Sequence, residues 1–115
     1  MKSKEFISID NKHRIDVEII KGIDDDDNVA FFSIVDFEYE NYKTFLLLFK
    51  DVINYFIENK VYSVKQYILK NDIENFSYSE IPNIEGLDEN SVIMINTPLS
   101  KFPEEIYSSL GLKKI

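Results

Sequence analysis

A chain of 115 residues with 21 acidic against 13 basic side chains, one histidine, three glycines and no cysteine or tryptophan lacks most of the equipment of covalent and acid/base catalysis. The net charge of -8, with Arg14 as the only arginine, disfavours direct nucleic-acid binding and docking on an anionic membrane, both of which draw on clustered Lys and Arg. The absence of cysteine excludes disulfides and thiolate metal sites, while a 44% apolar share with nine Phe and seven Tyr is enough to build a core for a single domain over 1–115.

Met1–Asp10 lacks the long apolar h-region of an export signal, and Lys43, Lys50, Asp51 and Glu58 interrupt the apolar run around Phe45–Phe49. A cytoplasmic protein without a transmembrane segment is the expectation.

Phe6–Ile9 is short and apolar, a candidate edge strand, with a turn at Asp10–Lys12. Arg14–Ile20 alternates: Ile15, Val17 and Ile19 point one way, Asp16 and Glu18 the other, which is the period of a strand with one wet face. The four consecutive aspartates in Gly22–Asn28 repel one another and mark a solvated loop. Val29–Tyr39 resumes extended structure. It is apolar on both faces through Val35, which points to a central strand covered on each side at its start, and then alternates, with Phe37 and Tyr39 opposite Asp36 and Glu38.

Asn41 is a candidate N-cap, and from Tyr42 to Asn59 the period becomes helical. Tyr42, Phe45, Phe49, Val52, Ile53 and Phe56 form one stripe, widened by Leu46, Leu48 and Ile57. Val61–Leu69 fits a strand beside Val29–Tyr39 by its β-branched and aromatic content, yet Ser63 and Gln66 have capping-box spacing and Val64, Tyr67 and Ile68 helical spacing. Asn71–Asn90, punctuated by Pro82 and Gly86, reads as a long connection with one helical turn near Ile73–Phe76. Ser91–Asn96 is a further buried strand, stopped by Pro98. The last helix is signalled by Pro103 at its first position, Glu104 and Glu105 in its first turn and Gly111 at its end, with Phe102 stapling onto Ile106, and Ile106, Tyr107 and Leu110 buried. The fold class expected is α/β or α+β: a mixed sheet of four to five strands packed by one long helix and a short C-terminal helix.

Asp24, Asp26 and Asn28 reproduce the opening alternation of a calcium loop, but Val29 stands where that loop needs glycine and Val35 where it needs glutamate, so no metal site is expected. His13, among Asn11, Lys12 and Arg14, reads as an exposed turn residue, with no nucleophile defined beside it. Tyr39, Tyr42, Tyr55, Tyr62, Tyr67, Tyr78 and Tyr107 offer interface-type area, though most belong to the core or its boundary. No catalytic or cofactor-binding set is expected.

Strand parity gathers the acids. If the strands around the aspartate loop pair as a hairpin, with Ile15, Val17 and Ile19 apposed to Val35, Phe37 and Tyr39, then Asp16, Glu18, Asp36, Glu38 and Glu40 share the opposite face. Arg14 then stands opposite Glu38 or Glu40. With Asp24, Asp25, Asp26 and Asp27 of the loop, these acids form either a solvated face or an electronegative contact surface for a basic protein patch.

The order of strand (Val29–Tyr39), long helix, strand, then strand and helix ending Tyr107-Ser-Ser-Leu-Gly-Leu-Lys-Lys-Ile115 resembles the C-terminal part of GNAT-type N-acetyltransferases, which often close with a Tyr-x-x-Leu-Gly-Phe-like segment. The resemblance implies an acyltransferase or a degenerate relative. Glu38-Tyr-Glu-Asn-Tyr-Lys43 stands where it implies a glycine-rich acetyl-CoA pyrophosphate loop, and its two glutamates imply lost cofactor binding. The residues themselves point to a small acidic interaction module, such as an inhibitor, antagonist or accessory subunit, that meets a basic protein partner. Few strands and open edges also allow a homodimer.

Overall fold

The computed structural model describes residues 2–22, 28–70, 88 and 90–112. The aspartates Asp24–Asp27 and the helical turn expected near Ile73–Phe76 lie outside these residues. Five strands, β1 (Lys2–Ile7), β2 (Arg14–Ile20), β3 (Asn28–Asp36), β4 (Val61–Leu69) and β5 (Val92–Pro98), form one sheet in the order β1-β2-β3-β4-β5. Helix α1 (Tyr42–Glu58) follows a 3-10 turn at Tyr39–Asn41, and α2 (Phe102–Ser109) follows β5. Every neighbouring pair is antiparallel except β3 and β4. Parallel neighbours need a crossover, and α1 supplies it. The α+β class and the mixed sheet are as the sequence reading expects, and Val61–Leu69 resolves as a strand.

Both helices cover the same face. Phe32 of β3 meets Phe49 of α1 edge-on at 6.0 Å and Phe102 of α2 edge-on at 4.9 Å, and Phe45 stacks on Phe49 at 5.7 Å. Around these rings pack Ile15, Val17 and Ile19 of β2, Ala30 of β3, Val64 of β4, and Val52, Phe56 and Ile106 of the helices. Burying a large apolar side chain contributes about 1.5–3 kcal/mol, so this layer carries most of the driving force. Pro103 lies in the first turn of α2, and Gly111 takes φ +70°, the left-handed conformation that ends the helix.

The hairpin register differs from the expected one. Ile15 pairs with Ile34, Val17 with Phe32 and Ile19 with Ala30, so the inward set of β3 is Ala30, Phe32 and Ile34 rather than Val35, Phe37 and Tyr39. A one-residue change of parity turns every side chain to the other face. β3 is central but covered on one side: Phe31 is half-buried, and Ser33 and Val35 are exposed. β3 ends at Asp36, and Phe37 leaves the sheet to pack on Phe45 at 5.0 Å. The first strand is also displaced, spanning Lys2–Ile7 where Phe6–Ile9 was expected, with Ile9 in the turn and 91% exposed.

Candidate functional site

No helix of the described residues covers the second face of the sheet. Register places Glu5 of β1 beside Asp16 of β2, Glu18 of β2 beside Phe31 of β3, and Phe31 beside Lys65 of β4. These side chains, with Ser33 and Tyr67, line a groove of about 490 Å3. Tyr67 is 65% exposed and stacks on Phe31 at 6.0 Å with the rings 12° apart, and Lys65 Nζ stands 6.0 Å from the Phe31 ring centre. Further along the same face lie exposed Leu69, Val92 and Met94.

Arg14 organises the acidic half. Its Nη2 donates to Glu5 Oε1 at 2.9 Å and to Asp16 Oδ2 at 3.1 Å, and its Nε donates to Asp16 Oδ1 at 2.9 Å. Val35 is the extra residue where the β2–β3 register shifts, so Arg14 pairs with Asp36. The hydrogen bonds to Asp16, then the charges of Asp16 and Glu5, hold the Arg14 guanidinium above its ordinary pKa. Among the described residues Glu18 has no hydrogen bond or ion pair, and its half-buried carboxylate stands beside the Phe31–Tyr67 stack. The groove thus offers an unused negative charge next to exposed aromatic area, a combination suited to a cationic side chain with an apolar stem.

The expected five-acid patch does not form as drawn. Asp16 and Glu18 share the open face, and Asp36 reaches it through the shifted register. Glu38 and Glu40 lie beyond the end of β3, where Glu38 Oε2 accepts from Asn41 Nδ2 at 2.9 Å and Glu40 sits exposed in the 3-10 turn. Arg14 stands opposite Asp36 instead of Glu38 or Glu40 because β3 has already ended. Glu5, which the sequence reading left out, takes their place on the face. Asp24–Asp27 lie outside the described residues.

A second polar centre ties the β1–β2 turn to the start of α1. His13, expected at the surface, is completely buried, between Phe37 at 5.4 Å and Phe45 at 5.5 Å. Its Nδ1 accepts from the Glu38 N–H at 3.3 Å, so Nε2 carries the proton and donates to the Asn41 carbonyl at 2.8 Å. Asn41 occupies the N-cap position, but its side chain makes no cap bond. Ser8 Oγ accepts from the His13 N–H at 3.0 Å and donates to Asp10 Oδ1 at 2.6 Å, and Thr44 Oγ1 of α1 donates to Asp10 Oδ2 at 2.7 Å. The Ser8 hydroxyl, followed by those of Thr44 and the Lys12 N–H, brings Asp10 down to about 2. The Ser8 hydroxyl bonds the main chain of His13 and not its ring, and both ring nitrogens are engaged, so the cluster is a clasp and not a nucleophile–base pair. Parity carried its signal: residue 13 continues the inward series of Ile15, Val17 and Ile19.

Among the described residues no three His, Asp or Glu side chains are grouped to hold a metal ion, and no helix is long and apolar enough to cross a membrane. No protein-family model matches this chain, and no curated protein matches it.

Proposed function

We propose that this protein is a small acidic interaction module that binds a basic protein partner through the uncovered face of its sheet. The observation that carries the reading is the groove in which the free carboxylate of Glu18 adjoins the stacked Phe31 and Tyr67. Aromatic anchors supply the contact area at protein interfaces, and surrounding charge sets encounter rate and orientation. Arg14 cross-links Glu5 and Asp16, which keeps the acidic half rigid in the absence of a partner. A photo-crosslinking residue at position 67 tests the reading, with one at the exposed Asn54 of α1, on the opposite side, as its control. Basic proteins captured from position 67 and not from position 54 support it; capture at both positions alike, or at neither, contradicts it.

A second reading is a GNAT-like N-acyltransferase or a degenerate relative that has lost acetyl-CoA binding. It is favoured by the β3–α1–β4 crossover, which has the strand, long helix, strand order on which the resemblance rests. Titration calorimetry with acetyl-CoA separates the interaction module from a catalytic acyltransferase: a catalytic member must bind the cofactor and give heat, whereas the interaction module, like a relative that has lost the cofactor, gives none.

A further inference from the structure

The parallel ladder between β3 and β4 is short. Its Cα partners run from Asn28 and Val61 to Phe31 and Lys65, although β3 continues to Asp36 and β4 to Leu69. Each strand keeps its outer neighbour through this stretch, Phe32–Ile34 on β2 and Gln66–Leu69 on β5. A strand paired on one side directs the N–H and C=O groups of alternate residues to the other. Two such edges face each other here across a cavity of about 310 Å3, lined by Phe32, Ile34, Gln66, Ile68 and Leu110 among others.

Gln66 is the anomaly in that lining. It points to the helix-covered face between Val64 and Ile68 and is only 7% exposed, yet among the described residues its Nε2 has no hydrogen-bond partner. Buried polar groups are nearly always paired, and an unpaired donor opposes folding. A leucine there would bury the same face without that penalty.

We propose that the slot between β3 and β4 binds a short extended peptide segment of a partner protein. Its main chain lies between the two strand edges, and one carbonyl accepts from Gln66 Nε2. Its apolar side chains rest on Phe32, Ile34, Ile68 and Leu110. Unpaired with each other among the described residues, the two edges present donors and acceptors at the repeat of another strand, about 3.3 Å per residue, so a segment of about three residues matches the stretch Phe32–Ile34. A purely hydrocarbon ligand would leave both edges unpaired. The inference stands on strand geometry and on Gln66, independently of the charged groove.

The test is an NMR titration of the 15N-labelled full chain with the capped tripeptide acetyl-Leu-Val-Leu-amide. The expected result is saturable shifts of the Gln66 side-chain amide and of the main-chain amides of Phe32–Ile34 and Gln66–Leu69. Gln66→Leu and Gln66→Met remove the donor at similar size, and either should weaken the peptide about five- to tenfold, the worth of one buried hydrogen bond. Melting temperatures of both variants should equal or exceed the parent's. The proposal is overturned if the shifts are absent or scattered, if both variants bind as the parent does, or if both melt well below it, which would make Gln66 a structural residue. Displacement of the tripeptide from the same residues by acetyl-CoA would likewise overturn it, in favour of the acyltransferase reading.

Discussion

The His13 imidazole donates from Nε2 to the main-chain carbonyl of Asn41 at 2.8 Å, across 28 residues of sequence, and so pins the β1–β2 turn to the start of α1. The other ring nitrogen accepts from the Glu38 N–H, which fixes the tautomer and the path of the chain leaving β3. Replacing His13 by Ala removes a wholly buried ring and strands a carbonyl and an amide together. The expected loss is about 3 kcal/mol or more, measured by urea unfolding. Amide exchange should speed first at Glu38, whose N–H loses its acceptor. A loss below about 0.5 kcal/mol, the size of an ordinary surface substitution, would remove the clasp from this account.

Asp10 is the acid-sensitive part of the same clasp. The Ser8 hydroxyl, above all, holds its carboxyl down to about 2, well below the ordinary aspartate range. A depressed carboxyl stabilises the fold fully above its unfolded pKa, and that contribution is lost as pH falls through the folded one. Stability should therefore drop between about pH 4 and pH 2, with a shallower drop in Asp10→Asn. An NMR titration of Asp10 should show a midpoint near 2; a midpoint near 4, the ordinary Asp value, would contradict the clasp geometry.

On the other side of the core, Thr97 Oγ1 of β5 donates to Glu105 Oε2 of α2 at 2.7 Å, and both residues are buried. Thr97→Val keeps the shape and removes the donor from a buried carboxyl group. The expected cost is about 2 kcal/mol by thermal or chemical denaturation. Thr97→Ser, which retains a hydroxyl, should recover part of it.

The legible parts of the fold were those in which one element's own period decides the structure. Arg14–Ile20 alternates strictly and is the strand β2, and the Phe45–Phe56 stripe is the buried face of α1. β3 is shorter than its alternation suggests, because Phe37 and Tyr39 continue the pattern past its end at Asp36; Phe37 is recruited to cover His13, and Tyr39 packs on Tyr42. No local pattern fixed the hairpin register, and a parity change there moved Phe31 onto the open face. Of the candidate site, Asp16 and Glu18 were readable from parity. Glu5 was not, since Lys2–Glu5 has no apolar alternation and becomes a strand only by pairing with β2. The Phe31–Tyr67 stack joins two strands separated by a helix, a relationship that no spacing rule records.

If the open acidic face meets a basic partner, the rate of their association must depend on its carboxylates. With the partner captured through position 67 purified, its association rate is measured for the parent and for the triple variant Glu5→Gln, Asp16→Asn, Glu18→Gln. Surface charges act mainly on encounter, so the variant should associate about tenfold more slowly at low ionic strength. The difference should fade above about 0.15 M salt, where the Debye length is about 8 Å. The off-sheet pair Glu38→Gln, Glu40→Gln should slow association less than the triple variant does. An unchanged rate for the triple variant at low salt, with the fold intact by circular dichroism, would contradict the claim and leave the face a solvated surface.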